Sequence, residues 1–91
     1  MEVKEVSETL GVPEDELVKR GVKAYLEMEI RRVRSEICGI LSNYGVASFG
    51  EFDERISRGE FSETETFEDF TRLDYLGSMR EKIERLLGGS T

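Results

Sequence analysis

An all-α fold, a long helical hairpin with short N-terminal and connecting helices, is what this sequence predicts. Three observations predict it. Residues 13–44 carry apolar side chains at Val18, Val22, Leu26, Ile30, Val33, Ile37, Ile40 and Tyr44. Residues 63–87 carry a second set at Phe67, Phe70, Leu73, Leu76, Met79, Ile83 and Leu86. Steps of three and four place each set on one face of a helix. The 91 residues contain one proline and are 37% apolar and 36% charged, a mix common to helical hairpins and coiled coils with wet surfaces. One domain, 1–91, accounts for this length.

Taken in order, residues 3–10 place Val3, Val6 and Leu10 at helical spacing, and Gly11 is suited to a left-handed stop. A helix this short is marginal alone. The long helix opens with Pro13-Glu14-Asp15-Glu16, a proline at the first turn and acids where the dipole favours them. At roughly 30 residues it spans about 45 Å, longer than a compact domain of this size. Its seam therefore requires a partner. A second copy is the expected one, with Val22, Leu26, Ile30, Val33, Ile37, Ile40 and Tyr44 as the interface of a dimeric bundle. Gly21 and Gly39, inside this helix, are expected to mark close helix–helix approach, beside Tyr25 and Asn43.

Gly45 is suited to the cap that ends the long helix. Ser48 with Glu51 forms a capping box that opens a helix over about 48–58, with Phe49, Phe52 and Ile56 on one face. Ser62 with Glu65 forms another and opens the last helix, which Gly88 and Gly89 are expected to stop. Two long helices joined by a short connector fold back antiparallel.

Composition excludes several functions. Net charge is −7, and residues 1–26, 27–44, 45–63 and 64–91 carry −2, 0, −3 and −2, so no segment is basic. Such a chain is repelled by a phosphate backbone. There is no histidine, and no serine or threonine lies beside a base that would activate it. The reading is non-enzymatic, with no cofactor. Glu65, Glu68 and Asp69 have the spacing of a cation site, but a solvated first helical turn explains them. The lone Cys38 cannot form an internal disulfide and is expected to be buried beside Ile37. No apolar run approaches a membrane span, and the acidic start is unlike a signal peptide, so the expected compartment is the cytoplasm.

The stretch with the strongest binding character is residues 61–76. Phe61, Phe67, Phe70 and Tyr75 stand among Glu68, Asp69, Asp74 and further acids. Rings ringed by carboxylates suit a basic protein partner, the rings supplying buried area and the acids steering. The same rings would also serve to cover the long helix.

Gly11, Val12, Glu16, Leu17, Val18, Lys19, Gly21, Val22, Tyr25 and Leu26 resemble the end of the first helix and the whole second helix of ribbon-helix-helix antitoxins and repressors. Only ten residues precede Gly11, too few for that family's DNA-reading strand and a full first helix. Over nearly its whole length the chain resembles small, mostly archaeal antitoxin-like proteins. The likeness lies in Leu10 to Lys19, Tyr44 to Ile56 and Glu68 to Leu76. It implies a protein that covers the basic site of a small toxin, commonly an RNA-cleaving one. The alternatives are a self-associating structural or adaptor module, and a DNA-binding regulator using Lys19, Arg20 and Lys23. The regulator is opposed by Glu14, Asp15 and Glu16 at the end such helices present to DNA.

Overall fold

A computed structural model of the chain describes residues 1–89. Four helices follow one another: α1 Val3–Leu10, α2 Glu14–Asn43, α3 Phe49–Ser57 and α4 Glu63–Gly89. No strand occurs among the described residues. α2 and α4 form the hairpin, α3 sits in the connection, and α1 is in contact with α2.

The ends of the helices are set by local chemistry. Gly11, Gly45 and Gly59 adopt φ of 68°, 66° and 78°, the left-handed region that glycine enters without steric cost. After α2, the amide of Gly45 donates to the carbonyl of Ser42 and that of Val46 to Leu41, both at 3.1 Å. This double closure is a Schellman motif and satisfies carbonyls that the helix leaves open. At the start of α3 the Glu51 amide donates to Ser48 Oγ at 3.1 Å, while the Glu51 carboxylate accepts from the Ala47 amide at 2.8 Å. Ser62 caps α4 more loosely, accepting the Glu65 amide at 3.4 Å, and its carbonyl accepts the Thr66 hydroxyl at 2.8 Å. Gly88 and Gly89 both lie within α4, so the stop expected before them does not occur among the described residues. Glycine costs a helix about 1 kcal/mol against alanine, a penalty too small to end one by itself.

Two apolar clusters hold the hairpin. Ile30 and Val33 of α2 are buried with Leu76 and Ile83 of α4, flanked by Leu26, Ile37, Ile40, Met79 and Leu87. Nearer the connection, Leu41, Val46, Phe52 and Leu73 are buried, with Tyr44, Ile56, Phe61 and Phe70 packed around them. The seam of α2 from Leu26 to Tyr44 is thus covered by α4 and the connector of the same chain. The expected second copy is not what fills it there, because α4 is long enough to do so. Of the expected interface residues, only Val22 lies outside these clusters, and it is 55% exposed.

Two further expectations are corrected. Cys38 is exposed, because one step past Ile37 turns a side chain about 100° around the helix and away from the seam. A Cβ placed on Gly21 or Gly39 meets nothing within 4 Å, so neither glycine marks a crossing within the chain. Surface ion pairs join the helices: Arg34 reaches Glu84 at 3.1 Å and Arg72 reaches Glu36 at 2.6 Å. The Arg72 guanidinium beside Glu36 holds that carboxyl below its ordinary range.

Phe52 is fully buried and Phe67 is 67% exposed, so the same truncation should have opposite consequences. Phe52→Ala is expected to cost about 3–5 kcal/mol in urea unfolding, and Phe67→Ala less than about 0.5 kcal/mol.

Candidate functional site

The acidic and aromatic stretch divides between two faces once α4 is laid on α2. Phe61 turns inward at the connector, with its ring centroid 5.3 Å from Tyr44 and 6.0 Å from Phe52. The Arg55 guanidinium lies 5.2 Å above it. Phe70 is half-buried, with its ring 4.8 Å from Phe49 and 6.2 Å from Phe52. Asp69 is half-buried, and its carboxylate accepts the Tyr44 hydroxyl. These three, read in the sequence as partner-binding residues, are engaged within the chain.

Phe67, Glu68, Asp74 and Tyr75 point the other way and are exposed. Phe67 is 67% exposed and Tyr75 52%. Eight residues of helix separate the two rings along the axis, about 12 Å. The Arg72 guanidinium lies 5.4 Å from the Tyr75 ring centroid while its nitrogens hold Glu36, so Tyr75 is steadied from one side. The outer face of α4 is therefore a strip with a ring toward each end and carboxylates beside both. Among the described residues no group of acids and cysteine has the geometry to hold a metal ion.

Tyr44 is the residue whose role the sequence conceals. It was expected at a dimer seam, and it instead gathers the rings of Phe52, at 4.4 Å, and Phe61 around a hydrogen bond to Asp69. That bond, with partial burial and the nearby carboxylate charges, pushes the Tyr44 hydroxyl up to about 12. Nothing in the spacing of the sequence pairs Tyr44 with Asp69, since they lie 25 residues apart. Gly45 and the position of Tyr44 at the end of the apolar stripe were the available signals, and both speak of helix termination.

A shallow groove of about 760 Å³ between the hairpin helices is lined by Ile37, Cys38, Leu41, Phe49, Leu73 and Asp74, among others, so Asp74 lies where the α4 strip meets the groove. Lys19, Arg20 and Lys23, the residues a DNA-binding reading would use, lie on α2 beyond the core. Arg20 is paired there with Glu16 at 3.2 Å. No helix among the described residues is long and apolar enough to cross a membrane.

Fold and surface together define an elongated helical hairpin with an acidic net charge and an exposed ring-bearing helix face. The chain belongs to the family described as the Uncharacterized protein MJ0235 family, whose sequence profile matches residues 1–89. Neither a curated protein nor a solved structure matches it.

Removing the Tyr44 hydroxyl tests the hub. A tyrosine whose folded pKa is raised keeps its full stabilising effect below the unfolded value of about 10 and loses it as pH climbs toward about 12. Tyr44→Phe is expected to be about 1 kcal/mol less stable at pH 7. Followed by urea unfolding from pH 9 to 12, it should lose less stability with rising pH than the parent.

Proposed function

We propose that the protein acts by binding another protein through the outer face of α4, as an antitoxin-like protein that covers a basic site on a small partner. The observation that carries this is Phe67, a large ring 67% exposed, while Phe70 one turn on and Phe61 just before the helix are packed into the chain's own core. With Tyr75 it supplies two aromatic anchors, and Glu68 and Asp74 supply charge that a basic partner would meet. A net charge of −7 favours approach to such a partner and discourages nucleic acid. A protein that cleaves RNA needs a positive surface for phosphate, which is the kind of site an acid-and-ring strip complements. The resemblance of Leu10 to Lys19, Tyr44 to Ile56 and Glu68 to Leu76 to antitoxin-like proteins supplies the specific form of the reading.

The test is co-purification from native cells followed by binding and cleavage assays on whatever basic chain is recovered. One small basic protein at equal stoichiometry, with its RNA cleavage blocked by this chain, is the expected result. Phe67→Ala with Tyr75→Ala should weaken that binding at least tenfold, since a buried aromatic anchor is typically worth 2 kcal/mol or more. The circular dichroism of the double variant should match the parent. Unchanged affinity in a folded double variant would remove the α4 face from the site. Absence of any basic partner would remove the antitoxin reading.

A further inference from the structure

The groove beside Asp74 has two walls, and both carry one spacing. On α2 its lining residues are Arg34, Ile37, Cys38 and Leu41, and on α4 they include Asp74, Gly77, Ser78 and Glu81. Each set stands at i, i+3, i+4 and i+7, the four corners of a hole that receives one side chain of a facing helix. The two walls lie at one level of the antiparallel hairpin, since Leu41 and Leu73 are buried in the same cluster. The Arg34–Glu84 ion pair spans the groove at one end, and Ala47 to Gly50 at the start of α3 line the other.

The α4 wall is low at its centre. Glycine is a poor helix former, and a Cβ on Gly77 meets no atom within 4 Å, so the chain's own packing does not require a glycine there. With Ser78 beside it, the hole is open to close approach of a second backbone.

Charge selects the occupant. Arg34 and Arg80 are both turned to Glu84, at 3.1 and 3.9 Å. Asp74 and Glu81 have no ion-pair partner among the described residues. They stand seven residues apart on α4, so two free carboxylates repeat at about 10.5 Å along the edge of the groove. Phe67, seven residues before Asp74, continues the same line of the helix.

We infer that the groove seats one helix of a basic protein partner. Apolar side chains of that helix enter the two holes, and lysine or arginine residues one heptad apart meet Asp74 and Glu81. A helix is the element whose own side chains repeat at this interval. Side chains on one face of an extended strand recur at about 6.6 Å and fall out of register with the pair. The inference rests on the reading of α4 as a binding face for a basic protein and gives that partner's contacting element its shape. From Phe67 the contact passes Asp74 and enters the groove.

The test is an NMR titration of the isotopically labelled full chain. The probe is a synthetic three-heptad peptide with leucine at a and d and lysine at e and g. Its counterpart carries glutamate for every lysine. The lysine peptide is expected to shift the amides of Cys38, Leu41, Gly77, Ser78 and Glu81 and to bind about tenfold more tightly than the glutamate peptide. Gly77→Gln with Ser78→Gln fills the α4 hole with better helix formers, and should keep the parent's circular dichroism while weakening the lysine peptide about tenfold. Alkylation of Cys38, the one cysteine and an exposed one, blocks the α2 hole without a substitution and should act the same way. Glu81→Lys should cut the preference for the lysine peptide about threefold. Shifts confined to the ring strip or to the start of α2 overturn the inference. So does equal binding of the two peptides, or binding indifferent to both blockades. None of the altered residues belongs to the ring strip, and the probe is not the natural partner, so the two readings fail separately. A silent groove beside a strip that still binds a basic protein overturns the helix seat alone. A groove that takes the peptide, with no basic partner recovered from cells, removes the antitoxin reading and retains the seat.

Discussion

A single apolar stripe, longer than anything this chain can lay over it, governs the architecture. α2 carries the stripe from Val18 to Tyr44, and α4 together with the connector covers it from Leu26 onward. Val33, Phe52 and Leu76 are the largest fully buried side chains among the described residues, and burying each is worth about 1.5–3 kcal/mol. The ion pairs that accompany them are exposed, and such pairs contribute roughly 0–1 kcal/mol apiece. Apolar contact therefore holds the hairpin closed, and the charged residues tune its edges. At the connector end the stripe is sealed by rings from three elements gathered on Tyr44. At the other end it runs into open solvent.

Periodicity and capping made the helices readable from the residues. The glycine stops at Gly11 and Gly45, the Ser48–Glu51 box and the two long stripes all act within a few residues of one another. Their physics is local, and the sequence displays it. What a stripe does not display is its occupant. Ile30, Val33, Ile37 and Ile40 have the same spacing whether a second copy or α4 covers them, and the length of α4 and of the connection that returns it decides. Cys38 shows the finer limit. Adjacent to a seam residue in sequence, it is a quarter-turn or more away in space.

The binding strip was legible as composition and illegible as geometry. Residues 61–76 combine rings and acids, but which ring faces inward depends on the angle at which α4 meets α3. Phe70 lies three residues before Leu73 and turns with it toward Phe49 and Phe52. Phe67 and Tyr75 sit on the far side. Asp69 is drawn inward by Tyr44, and Glu68, one residue earlier, is left to solvent. Cross-helix partners such as Arg72 and Glu36 belong to the same class, because 36 residues of folded chain must intervene before they meet.

Phe67 lies in the second turn of α4, near the connector, whereas the exposed apolar residues Val18 and Val22 lie toward the other end of a molecule that measures 60 Å along its longest axis. The ring-bearing strip and the uncovered end of the stripe are therefore set apart along the hairpin. The core between them holds both in place, because Ile30 and Val33 pack on Leu76 and Ile83 while Leu41 and Phe52 pack on Leu73. A contact made at one end leaves the other exposed, so the two faces are separate in their chemistry as well as in their position.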